Sequence, residues 1–153
     1  MKAVLLIFLI FLCSSCFNQG DCLITASGST KIDFYQKADK LPKLISFSSI
    51  FISGYGSVLY QDSVSASSLL LPVNPSGDTT RFTLNYDGKS DFITVKYSTE
   101  TRIISPDCGV FTYYKDLEIV HTSFDQGVIK LINTQLLIDA VHQKNATNIQ
   151  VFF

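Results

Sequence analysis

The sequence contains only two histidines, His121 and His142, and that scarcity bounds its chemistry. A zinc centre usually takes three or more protein ligands, which two histidines without a neighbouring cysteine or acidic cluster do not supply. His121 falls at an alternating position of a predicted strand and reads as a packed or strand-edge side chain. His142 lies near a predicted loop and reads as solvated. Charge is scarce as well: 12 Lys and Arg stand against 13 Asp and Glu, for a formal net charge of −1. No basic excess argues for nucleic acid, and no run of like charge argues for a steering surface. Nucleophile-elbow, Walker A, H-E-x-x-H and EF-hand patterns are absent. The sequence therefore assigns no catalytic, cofactor-binding or metal-ligating residue, and the protein reads as a non-enzyme. After Leu12 no apolar run approaches the roughly 20 residues of a spanning helix. Internal repeats, low-complexity segments and a second domain are also missing.

What the chain does carry begins at Met1-Lys2, followed by an apolar run from Ala3 to Leu12 and then Cys13-Ser14-Ser15-Cys16. One basic residue, a short apolar stretch and a small-residue site are the three regions of a secretory signal. Ser14-Ser15-Cys16 after a leucine-rich stretch resembles the lipobox of bacterial lipoproteins, in which the cysteine is acylated and becomes the new N-terminus. The usual Leu three residues before that cysteine is replaced here by Cys13. The resemblance implies lipidation at Cys16. Stable anchoring takes more than one acyl chain, each adding about 0.8 kcal/mol per buried CH₂, and a three-chain N-terminus meets that requirement. Cys13 and Cys16 also have redox or metal spacing, but they lie at a signal boundary with no βαβ pattern around them.

Cleavage before Cys16 removes Cys13, and lipid occupies Cys16, which leaves Cys22 and Cys108. In an oxidising compartment a remaining pair of thiols is expected as a disulfide. Closing so long a loop is worth roughly 4–5 kcal/mol in the chain-entropy treatment. The expected organisation is a signal peptide over 1–15, a lipidated tether over 16–28 and one β-sandwich domain over 29–153.

From Lys31 onward the periodicity is that of strands. Ile32 and Phe34 alternate with polar neighbours, and a turn region with Pro42 follows at Lys37–Lys43. Over Leu44–Ile52, Ile45, Phe47 and Phe51 are expected on one face. Val58–Tyr60 and Leu69–Val73 are short strand candidates. Thr80–Tyr86 is the cleanest alternation, with Phe82, Leu84 and Tyr86 inward. Asp87-Gly88 is a tight hairpin signal, and Phe92–Thr99 is the returning strand. Arg102–Ser105 and Val110–Tyr114 flank Pro106-Asp107-Cys108-Gly109, after which Leu117–Phe124, a long strand over Val128–Ile138 and a last one through Ile149, Val151 and Phe153 complete the set. Thr134–Gln143 has a weaker helical alternative. Short strands at this spacing with Gly, Pro, Asn and Asp between them predict an all-β fold: a single immunoglobulin-like antiparallel β-sandwich of about eight strands.

Three local patterns have ordinary readings. Asp116 and Glu118 share a strand face in a period of two, but exposed carboxylate pairs of that kind are common. Ile52-Ser53-Gly54-Tyr55-Gly56 echoes a potassium-channel filter, which needs pore helices, and reads as a turn. Asn145-Ala146-Thr147 has the form of a glycosylation acceptor, which an exported bacterial lipoprotein does not use.

Several scattered stretches together carry a wider likeness. They are Cys16 with Cys22, Tyr60 with Asp62-Ser63 before Leu71-Pro72, Asp78-Thr79-Thr80, Ser105-Pro106-Asp107 before Cys108-Gly109, and Asn148-Ile149. In these the chain resembles a small family of Bacteroidota lipoproteins known only as a domain of unknown function. The resemblance implies an exported, lipid-anchored β-sandwich and adds no active-site residues. Surface-displayed lipoproteins of that phylum often carry acidic residues after the lipidated cysteine. Phe17-Asn18-Gln19 follows here, which favours the periplasmic face of the outer membrane over the cell surface. The expected function is a binding or assembly accessory module, held on the membrane by its lipid, with an envelope protein as partner. Neither nucleic acid, nor a cofactor, nor a small-molecule ligand is expected. The alternatives are a small outer-membrane β-barrel, suggested by the alternation up to Phe153, and an envelope hydrolase with an unrecognised site.

Overall fold

A computed structural model of the chain describes residues 28–54, 58–60, 63–105, 109–136 and 146–153. Within them lie ten strands and no helix: β1 (Ser29–Tyr35), β2 (Ile45–Ile52), β3 (Val58–Tyr60), β4 (Val64–Ala66), β5 (Ser68–Pro72), β6 (Thr79–Tyr86), β7 (Lys89–Ser105), β8 (Gly109–Thr122), β9 (Ile129–Leu131) and β10 (Ile149–Phe152). They form two sheets, one ordered β5-β1-β10-β9 and the other β3-β2-β6-β7-β8, with β4 also paired to β2. The expected sandwich is present. Its strands do not close into a barrel, which sets the barrel alternative aside.

The alternation read from the sequence explains which side chains meet. Ile32 and Phe34 of β1, Leu69 and Leu71 of β5, and Ile149 and Val151 of β10 face Phe82 and Leu84 of β6 and Ile93 and Val95 of β7, all buried. Removing a side chain of this size from such a core costs on the order of 2–5 kcal/mol. Phe34, Phe47, Tyr86, Phe124 and Phe153 close one end of the core through tilted and edge-on ring contacts with centroids 5.2–6.1 Å apart. At the opposite end the Tyr97 hydroxyl donates to the Asn74 carbonyl at 2.6 Å and meets Thr80 Oγ1 at 2.9 Å. That hydroxyl, reaching out of the core, fastens the loop between β5 and β6.

Four details differ from the expectation. β1 and β10 run parallel, with Ile32 opposite Ile149 and Phe34 opposite Val151, so the first sheet is not wholly antiparallel. On β2 a register shift between Phe47 and Ser49 changes which parity points inward. Ile45 and Phe47 are buried before it and Ile50 and Ile52 after it, leaving Phe51 exposed rather than on their face. The predicted strands at 92–99 and 102–105 are one 17-residue strand, and those at 110–114 and 117–124 are likewise joined in β8. The long strand expected over Val128–Ile138 shortens to Ile129–Leu131, and residues 132–136 are neither strand nor helix.

Turn chemistry holds where its residues demand it. Asp87 and Gly88 both take positive φ, 48° and 71°, as a two-residue hairpin of the primed type requires. Ser53-Gly54 is a turn with Gly54 at φ 90°, while Tyr55 and Gly56 lie outside the described residues.

Candidate functional site

The most concentrated polar chemistry stands on the outer face of the first sheet. β1 sends Ile32 and Phe34 into the core, so Lys31, Asp33 and Tyr35 project from the opposite face. Asp33 lies in register with Ser68 of β5 on one side and Gln150 of β10 on the other. The residue is only 9% exposed although it belongs to the outward row. Ser68 donates its hydroxyl to Oδ1 at 2.5 Å, Thr147 donates to Oδ2, and Lys31 Nζ stands 3.8 Å from Oδ2. Tyr35 stacks on Phe152 at 5.6 Å, and Lys130 lies over the Phe152 ring at 5.4 Å. Burial, with the Asp33 charge beside it, raises the Tyr35 hydroxyl above the ordinary tyrosine pKa. An open cleft of about 220 Å³ lies along this row, lined by Lys31, Asp33, Phe34, Tyr35, Pro42, Ser67 and Ser68.

Both Asp33 oxygens already accept hydroxyl hydrogen bonds, so the group is held still and its charge is shared. Ser68 meets Asp33 directly, without the imidazole that would carry its proton in an acyl-transfer relay. Along the cleft stand the Lys31 ammonium and the Tyr35 hydroxyl, with the stacked Tyr35 and Phe152 rings beside them.

Beneath the row, Asn148 is fully buried between β10 and the 132–135 segment. Its Oδ1 accepts the Lys31 N–H at 2.9 Å, and its Nδ2 donates to the carbonyls of Asn133 at 3.1 Å and Gln135 at 2.6 Å. Backbone bonds between Asn148 N and Lys31 O, and from Ile132 N to Asn148 O, complete the joint. Thr147 and Asn148 together thus fix the first sheet's polar face to β1.

A second carboxylate, Asp91, accepts from Tyr86 Oη at 2.5 Å and from Ser123 Oγ at 2.7 Å. Burial and the hydrogen bond to Asp91 raise the Tyr86 pKa well beyond the ordinary tyrosine value. Through Asp91 on β7 this pair ties β6 to Ser123 in the segment after β8.

The residues singled out from sequence fall as follows. Cys16, Cys22 and Cys108, with Cys13 and His142, lie outside the described residues. His121 is exposed on β8, opposite Thr94 at the edge of the second sheet. Asp116 sits at a register shift with φ 57°, accepts from Ser98 Oγ at 2.5 Å, and is exposed like Glu118. Of the Asn145-Ala146-Thr147 pattern, Thr147 is engaged with Asp33, and Asn145 lies outside the described residues. Asp33, Ser68 and Asn148 were not predicted as functional. The one sequence signal for Asp33 is an acidic residue between two core positions of a strand.

Among the described residues no group of three or more His, Cys, Asp or Glu side chains comes together. No curated protein and no solved structure matches the chain. A family does match, over residues 48–153, covering the later part of β2 and β3 through β10 and including Ser68, Thr147 and Asn148 but not β1. With more than half of its length so matched, the chain belongs to the family of unknown function DUF6452.

Proposed function

We propose that this DUF6452 chain is a lipid-anchored cell-envelope protein of Bacteroidota type, working as a non-enzymatic binding or assembly accessory module. The observation that carries the reading is the lipobox-like Ser14-Ser15-Cys16 after the apolar run from Ala3 to Leu12, with the first described strand beginning at Ser29. The short intervening stretch holds the domain close to the bilayer surface. Its partner is another envelope protein, met at the outer face of the first sheet, where Lys31, Tyr35 and Leu70 flank the immobilised Asp33. The periplasmic face of the outer membrane is the favoured side, from the uncharged Phe17-Asn18-Gln19 after Cys16.

The test is metabolic labelling of the full chain with a clickable fatty acid, followed by membrane fractionation. The unsubstituted chain is expected to carry label and to sediment with membranes, and Cys16→Ala is expected to lose both properties. Label retained in Cys16→Ala, or an unlabelled soluble product from the unsubstituted chain, overturns the anchor.

A further inference from the structure

β5 forms one edge of the first sheet and pairs only with β1 among the described residues. Two bonds at its ends show which of its backbone groups that pairing uses. Phe34 N–H donates to Ser67 O, and Val73 N–H donates to Gly28 O, each at 2.9 Å. Hydrogen-bonded pairs alternate along an antiparallel ladder, so residues 67, 69, 71 and 73 turn their N–H and C=O toward β1. Ser68, Leu70 and Pro72 turn theirs the other way, toward the open edge. Among the described residues nothing meets the N–H of Ser68 or Leu70, or the carbonyls of Ser68, Leu70 and Pro72. Leu70 is also 42% exposed, the one large apolar side chain so exposed on a described strand of this sheet.

The other edges are engaged or short. On β8 the segment after β9 takes Leu117 N–H at 2.8 Å and Tyr114 O at 3.3 Å, and register shifts interrupt the ladder. β3, β4 and β9 have three residues each. An open edge is a template for another strand, and this one is complementary to itself. Let a second β5 lie antiparallel to the first, centred on Leu70. The two Leu70 residues then exchange both their backbone bonds, and Ser68 N–H of each copy meets Pro72 O of the other. Proline has no N–H to give, so the edge closes with four bonds and leaves only the Ser68 carbonyls to water. The same register sets the two Leu70 side chains opposite each other on one face. Shifted so that Leu70 faces Ser68 of the second copy, the edges would lose that apolar contact.

We propose that the protein pairs with a second copy of itself through β5, antiparallel and centred on Leu70, so that two four-stranded first sheets become one. Four backbone bonds and a leucine pair make a small contact beside the roughly 1,200–2,000 Å² of a standard interface. It suffices for chains tethered to one bilayer, because tethering raises the concentration at which they meet. In this the pairing rests on the lipid anchor. The two strands run antiparallel, so the Ser29 ends of the copies point opposite ways. Both tethers reach one bilayer when the joined sheet lies along it. The Asp33 rows of the two copies then share one surface, and an envelope partner meets them as a pair.

The test is Leu70→Cys in the full chain, oxidised in isolated membranes with copper phenanthroline and mapped by peptide mass. Opposed hydrogen-bonded residues have Cα atoms about 5.5 Å apart, inside the roughly 4.4–6.8 Å that a disulfide spans. A dimer linked through position 70 is expected. Leu44→Cys, at a more exposed site (69%), reports random collision and is expected to stay monomeric. No link at position 70, or equal linking at both positions, overturns the proposal. A link that forms only between Ser68→Cys and Leu70→Cys copies overturns the register. Energy transfer between donor- and acceptor-labelled full chains in reconstituted vesicles is the second measurement. It is expected for the unsubstituted chain and is lost in Leu70→Lys, which sets two like charges opposite each other; transfer unchanged in Leu70→Lys overturns the pairing. Fatty-acid label on the same gel bands reports the anchor separately. Label without a link removes the pairing and leaves the anchor, and a link without label leaves the pairing and removes the anchor.

Discussion

Asn148 gives the sharpest test of how the polar face is held. Replacement by Ala keeps the backbone bonds of residue 148 and removes three side-chain hydrogen bonds, to Lys31 N, Asn133 O and Gln135 O. Leaving a buried polar group unpaired costs about 1–3 kcal/mol. Gln135 is exposed and Asn133 and Lys31 half-buried, so water reaches part of what is orphaned and the low end applies. The three groups together give about 3 kcal/mol, somewhat over a 100-fold change in the folding constant at about 1.4 kcal/mol per decade. Urea denaturation of Asn148→Ala should show that loss with an unchanged slope. Asn148→Asp adds a sign. Its carboxylate would face the two carbonyls that Nδ2 now serves, so its folded pKa lies above the unfolded value. The added penalty is present above that folded pKa and is relieved as pH falls toward the unfolded one near about 4. The gap between Asn148→Asp and the unsubstituted protein should therefore narrow in acid. A loss below about 0.5 kcal/mol for Asn148→Ala, within the ordinary scatter of surface substitutions, would refute the role given to this joint.

Gly28→Ala should lower stability by about 1–3 kcal/mol, because the added methyl must displace the Tyr114 ring from its contact with Tyr97; an unchanged thermal midpoint contradicts the close approach. Thr30 is fully buried and its hydroxyl has no partner among the described residues. Thr30→Val should therefore hold or raise the midpoint, since it removes an unmet polar group at constant shape, and a fall in the midpoint would reveal a partner. Tyr86 is the alkaline titrant. Its folded pKa lies above the unfolded value near about 10, so its contribution is complete below that value and is lost as pH rises above it. Denaturation against pH should show an alkaline fall that Tyr86→Phe diminishes, together with about 1.5–3 kcal/mol lost at neutral pH from the bond to Asp91.

Much of the architecture was legible because it depends on a period of two. Thr80–Tyr86 and Ile149–Phe153 have one apolar face and no competing helical spacing, and Asp87-Gly88 admits few turns but the one it makes. The errors fall where that period is interrupted. On β2 a bulge exchanges the faces after Phe47, and nothing in Ser48-Ser49 marks it. Breaks were expected at 100–101 and 115–116, between the strand candidates on either side, whereas the pairing of Ser98 with Lys115 and Glu100 with Tyr113 carries β7 and β8 straight through both places. Strand pairing across distance was not legible either. β1 and β10 meet in parallel although more than a hundred residues separate them, and no local propensity encodes that choice.

The sequence alone determined the fold class, the inward residues of most strands and the lipobox-like signal at Cys16, because each depends on neighbours along the chain. The tertiary structure decided the rest. Asp33 became a buried carboxylate only when β5 brought Ser68 beside it and β10 brought Thr147. Asn148 became a joint only when Lys31 and the 132–135 segment closed around it. Gly28 became costly to replace by alanine only when the Tyr114 ring settled against its backbone. In each case the energy belongs to a contact between distant residues, and hydrogen bonding and exclusion act over a few ångströms of space whatever the separation in sequence.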